Sequence, residues 1–467
     1  MQTRAPSSSD VESLLPALPE GVLSVCRRLG EHGHRAWVVG GSVRDLLLGR
    51  PVGDWDVATD ARPEQVMRVF RRVVPTGMAH GTVTVMLGDE GYEVTTLRGE
   101  GAYGDGRHPS EVVFLQDIEE DLARRDFTIN AMAIDVAARR LVDPFGGQQD
   151  LRDRRLRAVG QPADRFAEDG LRVLRAARFA ATLECEIEPG TLAAMAAPSS
   201  LDTLRKVSVE RVREEWLKAM HAERPSVAFR IMQQTGMLAL HCPELGETVG
   251  CEQNRWHAHD VWEHTLRCLD ACAPDPVLRT AALLHDVAKP RTRALSPKSN
   301  DYTFYNHELA GAQMAETILR RLKFSKADRS RVVELVRHHL ICYTPQWTDA
   351  AVRRWIRRVG TPRVDELFAL AIADSQAKGR DAELSIGAIE ELRIRVADLQ
   401  HQGTALSRGD LAIDGEALMR ELDLGPSRLV GEVLGALLEI VTDDPSKNQT
   451  ELLLGEARAW LARRSAP

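Results

Sequence analysis

Asp54 and Asp56, in Gly49-Arg-Pro-Val-Gly-Asp54-Trp55-Asp56-Val57, are the pair of residues whose spacing points most directly to chemistry. On an extended backbone alternate side chains share a face, so both carboxylates project one way and Trp55 and Val57 the other. Held that close they repel unless a cation sits between them. Oxygen ligands of this kind suit Mg²⁺ with positions left for water and a triphosphate, as phosphoryl and nucleotidyl transfer require. Upstream, Val38-Val39-Gly40-Gly41-Ser42-Val43-Arg44-Asp45 reads as a strand, a two-glycine turn and a helix start. Backbone N–H groups there approach an anion, and Arg44 adds charge. Glu93, in Tyr92-Glu93-Val94-Thr95, is the acid available on a neighbouring strand to complete a two-metal site.

Two arginine groups follow. In Asp121-Leu-Ala-Arg124-Arg125-Asp126-Phe-Thr-Ile-Asn130 the arginines either clamp a triphosphate or pair with Glu120 and Asp121. In Glu168-Asp169-Gly-Leu-Arg172-Val-Leu-Arg175-Ala-Ala-Arg178 the charges step by three residues, forming one polar helix stripe, with Leu171, Leu174 and Ala177 on another face. A salt-bridged surface helix has the same pattern. The chemical alternative is a template made of protein: a carboxylate accepts the exocyclic N–H of cytosine or adenine while an arginine donates to the adjacent ring nitrogen. Uracil and guanine present a carbonyl at that edge and are refused.

The second half carries a histidine series: Trp256-His257-Ala-His259, His264, His285-Asp286-Val-Ala-Lys289, His307-Glu308, His338-His339 and Asp374. Imidazole and carboxylate ligands suit a transition metal, and an adjacent His-Asp pair can serve one ion or two.

These groups are spread over 467 residues, beyond the ~250–300 at which one hydrophobic core stops growing, so several domains must position them. Hydrophobic residues at 43% and charged residues at 28% exclude collagenous, low-complexity and largely disordered classes. A formal charge of −7 excludes a basic shell on every face. Arg152, Arg154, Arg155 and Arg157, like Arg353, Arg354, Arg357 and Arg358, form local clusters that read as solvated helix faces or RNA-backbone contacts. The sequence has no run of ~18 apolar residues and no secretory signal order at its start, which makes the cytoplasm the expected location. Seven cysteines without a C-x-x-C spacing read as reduced, buried thiols.

β-rich runs such as Ala36-Trp-Val-Val39 and Thr82-Val-Thr-Val-Met-Leu87 belong to a mixed segment, and after Leu151 helical spacing takes over. The division expected is a disordered tail over 1–20, an α/β part over 21–150, helices over 151–245, a metal-binding helical domain over 246–400 and a helical tail region over 401–467.

Taken together, Gly40-Gly41-x-x-Arg44-Asp45 through Asp54-x-Asp56, Arg124-Arg125-Asp126 with Asn130-Ala-Met, and Glu168-Asp169-x-x-Arg172 resemble the motifs of the class II tRNA nucleotidyltransferases, the CCA-adding enzymes, and their bacterial poly(A) polymerase relatives. The resemblance implies an α+β fold: a small β-sheet nucleotidyltransferase head followed by an extended all-helical body. It implies Mg²⁺ on Asp54 and Asp56, nucleotide contacts from Gly41, Arg44 and Arg125, and base choice by Asp169 and Arg172, extended by Arg175 and Arg178. tRNA, CTP and ATP are the partners it implies, without membrane or DNA. The glycine-rich segment Arg98 to Pro109 is similar to the flexible loop that the family links to the switch from C to A addition. The string His264, His285-Asp286, Asp374, with His307 and His338 as extra ligands, resembles the HD phosphohydrolases, which implies a second divalent metal and phosphoester hydrolysis. Rival readings are a poly(A) polymerase, an enzyme adding only CC or only A, and an HD hydrolase whose N-terminal half is an RNA-binding relic.

Overall fold

β1 (Ala36–Val39) carries no charged side chain and is buried along its whole length, so it lies inside its sheet. The computed structural model describes residues 15–78, 81–99, 113–380, 382–402 and 406–465. It divides into two units, one ending at Pro243 and the other beginning at Glu244.

In the first unit α1 (Glu20–Glu31) buries Val22, Val25, Cys26 and Leu29, one apolar stripe at helical spacing. α2 (Gly41–Leu47) follows β1 after Gly40. Next come β2 (Asp56–Thr59), β3 (Val73–Gly77), β4 (Thr82–Leu87) and β5 (Glu90–Thr96), then β6 (Ala133–Asp135) and β7 (Arg140–Val142). The seven strands form one sheet in the order β3-β4-β5-β2-β1-β6-β7. All neighbours are antiparallel except β2 and β5, whose parallel register sets Asp56 beside Glu93. Trp37, Val39, Ala58, Leu97, Leu122 and Ala133 pack one face of it.

The helices after the sheet begin as the sequence implies. α3 (Pro162–Glu168) ends at Asp169, and α4 (Leu171–Leu183) follows after Gly170. α4 is buried almost all round, leaving Arg172, Arg175, Arg178 and Thr182 partly open, which is the expected polar stripe. A Cβ on Gly170 would meet the Thr203 carbonyl carbon and the Leu204 nitrogen at 2.5 Å, so the chain between Asp169 and the stripe is pressed against backbone. α5 (Val209–Ala219) packs on α4.

In the second unit, Asp260 and Asp275 cap α6 (Val261–Ala271) and α7 (Pro276–Leu284) by accepting N–H bonds of their first turns. α8 (His307–Arg321), α9 (Lys326–His338), α10 (Asp349–Val359), α11 (Val364–Ala377) and α12 (Ala382–His401) follow. Three further helices, α13 (Gly415–Leu422), α14 (Arg428–Asp443) and α15 (Thr450–Ser465), share an apolar core of their own around Leu418, Val433, Leu437 and Leu453.

Three expectations need correction or placement. The body is largely, not wholly, helical: Arg155–Leu156 pairs with Glu186–Ile187, and β8 (Ala294–Ser296) and β9 (Asp301–Thr303) form a hairpin. Asn300, at φ 49°, accepts the left-handed turn that closes this hairpin. Of the tail expected over 1–20, residues 1–14 lie outside the described residues, Leu15–Ala17 form a 3₁₀ turn, and Glu20 already opens α1. The glycine-rich segment beyond Gly99 lies outside them too. Among the described residues no helix is long and apolar enough to cross a membrane.

Gly170→Ala should cost about 2 kcal/mol or more, because backbone rather than a flexible side chain must move. Denaturant unfolding of the two proteins tests this; equal midpoints would mean that the chain there has room the structure does not show.

Candidate functional site

The parallel pairing of β2 with β5 sets the Asp56 and Glu93 carboxylates on adjacent strands. Asp54 is exposed in the chain just before β2. Burial, then Glu93, then Asp54 push the Asp56 pKa up against the opposing pull of Arg125, to about 6. A carboxyl raised by its acidic neighbours in this way marks a site that a divalent cation would relieve, and an all-oxygen donor set fits Mg²⁺. Of the two glycines singled out, Gly40 is the constrained one. It has φ +78°, and a Cβ there would lie 2.7 Å from Arg125 Nη1. Gly41 opens α2 beside Arg44.

A cavity of about 630 Å³ brings the head and helix residues together. Gly41, Arg44, Asp56, Glu93, Arg125, Asp169, Arg172, Arg175 and Arg178 all line it, and Asp54 stands outside that lining. Eight arginines and one lysine face four acids in it, so the cavity is suited to a polyanion. Seven of these arginines pair with an acid. Arg44 donates from Nε and Nη2 to Asp45 and from Nη1 to Asn130 at 2.6 Å. Arg124 and Arg125 pair with Asp121, the bland alternative of the sequence, yet both still line the cavity. Arg172 is held by Glu168 and by the Arg165 and Arg124 carbonyls. Arg175 pairs with Asp126, and Arg178 with Glu215, both at 2.6 Å. Burial would raise the Asp126 pKa, but Arg175 and the Asn130 amide outweigh it and hold it at about 2.

Sequence reading missed several of these residues. Arg211 on α5 donates to Asp169 at 2.7 Å, and Asp169 also accepts the Leu171 N–H. Arg211 lies 42 residues from Asp169, with no local pattern to connect them. Asp126 and Asn130 stood in a quoted motif without a role, yet Asn130 joins Arg44 to Asp126. Phe179 and Lys218 also line the cavity.

The second unit gathers His264 of α6, His285 and Asp286 at the end of α7, His307 at the start of α8, and Asp374 of α11. Two triads share one carboxylate: His264, His285 and Asp286, and Asp286, His307 and His339, each with ligand atoms within 4.8 Å of one another. Asp374 lies 3.0 Å from His264 Nε2. His338 does not join them. It is half-buried on the last turn of α9, and the chain leaving the helix turns His339 inward instead. Nδ1 of His285, His307 and His339 each lies 2.7 to 2.8 Å from the carbonyl oxygen three residues earlier. A carbonyl only accepts, so Nδ1 carries the proton and Nε2 of each ring faces the shared carboxylate, the tautomer that ligates a metal. His264 Nε2, His285 Nε2, His307 Nε2 and both Asp286 oxygens are buried without hydrogen-bond geometry to any described group. Lys289 reaches one edge of Asp286, and a metal cation among these atoms would satisfy the rest. In a metal-free site a proton serves: burial opposes charge on His285, but Asp286 and Asp374 raise its pKa to about 10. His339 is pushed down to about 3, by burial first and then by His285. Lys289 and Lys378, which sequence reading left without a role, pair with Asp286 and Asp374 at 2.7 and 3.0 Å and line a cavity of about 280 Å³ over the cluster.

The model of the poly A polymerase head domain matches residues 36–157, that of a probable RNA and SrmB-binding site of polymerase A matches 185–248, and that of the HD domain matches 261–377. The chain is 43% identical over 255 residues to a CCA-adding enzyme of Lactobacillus johnsonii, covering 52% of this chain and 63% of that protein. It is 48% identical over 209 residues to one of Streptococcus suis, covering 45% and 51%. It thus spans between half and two thirds of the length of these relatives. Its fold is similar to that of the Bacillus stearothermophilus CCA-adding enzyme in complex with CTP, with 28% identity, a TM-score of 0.72 and coverage of 95% of this chain and 98% of that one. The Thermotoga maritima CCA-adding enzyme complexed with tRNA shares the fold at 21% identity, with a TM-score of 0.58 and coverage of 97% and 98%.

Two outcomes are expected. The Asp56 pKa is raised from 3.8 to about 6 on folding, so its charge opposes folding above pH 6, and the cost fades as pH falls from about 6 toward 3.8. In chelator-treated protein, Asp56→Asn should therefore raise the melting temperature at pH 8 and lose that advantage near pH 4; no gain at pH 8 would refute the raised value. Metal analysis after dialysis against Mn²⁺ should give two tightly held ions per chain in the second unit. Asp286→Ala should lose both, His264→Ala or His339→Ala one, and His338→Ala neither; a loss on His338→Ala would restore the ligand read from sequence.

Proposed function

Because the chain belongs to the class II tRNA nucleotidyltransferase and bacterial poly(A) polymerase family with a C-terminal HD domain, we propose that it adds C, C and A to tRNA 3′ ends from CTP and ATP, releasing pyrophosphate. One observation carries this reading: a single arginine-lined cavity joins the paired carboxylates Asp56 and Glu93 to the base-edge pair Asp169 and Arg172. The bound CTP of the Bacillus stearothermophilus relative supports it. By this reading residues 21–150 are the catalytic head, 151–245 the neck and body, 246–400 the HD domain and 401–467 the tail, working in the cytoplasm.

Asp54, Asp56 and Glu93 are the residues that would hold Mg²⁺, which when bound makes the primer 3′-hydroxyl more acidic and draws charge from the leaving pyrophosphate. Arg44, Arg125, Arg175 and Arg178 neutralise the triphosphate. Their acids hold them from behind, so they lose little freedom when the nucleotide arrives. Asp169 is fixed by Arg211 and the Leu171 N–H with its acceptor oxygens oriented. It takes the exocyclic N–H of cytosine or adenine, while Arg172 donates to the neighbouring ring nitrogen. A uracil or guanine carbonyl would face a carboxylate, an uncompensated acceptor pair that discriminates strongly.

Arg152, Arg154, Arg155 and Arg157 already have partners within the unit, so shape and weak charge contacts hold the tRNA backbone there. In the HD domain, His264, His285, Asp286, His307, His339 and Asp374 would hold divalent transition metal, which supplies an activated water for phosphoester hydrolysis.

Primer extension with Mg²⁺ tests the assignment on tRNA transcripts ending at the discriminator base, at C and at CC. Three nucleotides added to the first transcript and one to the last are expected, with at least about a 100-fold loss in Asp54→Ala and Asp56→Ala. Long A tails would make the protein a poly(A) polymerase, CC-only or A-only growth a split activity, and no growth would leave hydrolysis by the HD domain as its chemistry.

A further inference from the structure

Three guanidinium groups converge on one aromatic ring. The Cζ atoms of Arg44, Arg175 and Arg178 lie 5.2, 5.3 and 3.9 Å from the centroid of Phe179, inside the ~6 Å over which a ring face attracts a cation. Arg44 comes from α2 on the sheet, whereas Arg175, Arg178 and the ring itself belong to α4. Phe179 is 5% exposed and lines the cavity. The Phe127 ring meets it edge to face at 5.8 Å and 81°, which fixes its orientation. The acids hold the same arginines by their N–H edges: Asp45 for Arg44, Asp126 for Arg175 and Glu215 for Arg178. A planar guanidinium held at its edge by a carboxylate still has a face to offer, and the negative face of a ring is complementary to it.

Three like charges so close together repel. The acids neutralise them from three different elements, because Asp45 is on α2, Asp126 precedes the sheet's β6, and Glu215 is on α5. The Phe179 ring lies within 5.3 Å of all three guanidinium carbons. We propose that Phe179 is a positioning residue for the incoming nucleotide: its ring gathers Arg44, Arg175 and Arg178 into one cationic cluster for the triphosphate, and ties the sheet's arginine to the helix that carries Arg172. The inference rests on the nucleotidyltransferase reading of this cavity. An aliphatic side chain of similar bulk would fill the space but offer no negative face, so the arginines would spread.

The test replaces Phe179 in the full chain with 4-fluoro-, 3,5-difluoro- and 3,4,5-trifluorophenylalanine, which nearly keep its shape while progressively weakening its face. Equilibrium binding of CTP and ATP with Mg²⁺ is measured alongside thermal unfolding. Dissociation constants should climb with each fluorine to about tenfold for the trifluoro ring, and at least as far for Phe179→Leu, while melting temperatures of the fluorinated proteins fall by no more than a few degrees. Phe179→Tyr should restore binding to within about twofold of the parent, since its ring keeps the negative face. A flat fluorine series on a parent that binds both nucleotides overturns the inference and leaves the nucleotidyltransferase reading intact. A loss confined to Phe179→Leu also overturns it, by assigning the ring to packing alone. A parent chain that binds neither CTP nor ATP overturns the reading and this inference with it.

Discussion

A cavity that collects positive charge must first be stable without its ligand, and that requirement organises the first unit. Arg44, Arg124, Arg125, Arg172, Arg175, Arg178 and Arg211 would repel one another around one cavity, and each is tied to a carboxylate: Asp45, Asp121, Glu168, Asp126, Glu215 or Asp169. Removing one partner from such a pair leaves a buried charge unsatisfied, so each acid positions its arginine as well as neutralising it. The sheet order, the burial of α4 and the packing of α5 on it all serve to bring these acids to the arginines they hold.

The same cavity holds the opposite problem at its carboxylates. The register of β2 with β5 fixes Asp56 beside Glu93, and the protein accepts an acid pushed toward protonation in order to hold those oxygens ready. Opposed charges therefore line one cavity without collapsing onto each other. The arginines are held by their own acids, and Arg125 alone reaches toward the carboxylates closely enough to lower the Asp56 pKa. Stability given up at the carboxylates is what a reactive site of this kind requires.

In the second unit the limiting constraint is protonation geometry. Carbonyl oxygens three residues back along the chain set His285, His307 and His339 in one tautomer, so three helix ends deliver the same ring nitrogen to Asp286. For His285 and His339 the acceptors, Ala282 and Val336, lie in the last turns of their helices, where carbonyls have no helical partner; for His307 the acceptor is Phe304, in the chain just before its helix.

By itself the sequence determined the periodicities and the residue types. The Asp54-x-Asp56 pair after two glycines, the arginine stripe Arg172, Arg175 and Arg178, and the His285-Asp286 dipeptide are legible because strand and helix geometry turns short spacings into shared faces. Glu93 was legible as an acid on a strand, but its place beside Asp56 depended on which strands pair in parallel, a long-range choice no local pattern encodes. Only the tertiary structure chose His339 over His338, because neighbouring residues at a helix end point about 100° apart and the exit of the chain decides which faces inward. It alone joined Arg211 to Asp169 and set Arg44 against Phe179, since those contacts bridge elements far apart in sequence and exist only once the core has packed.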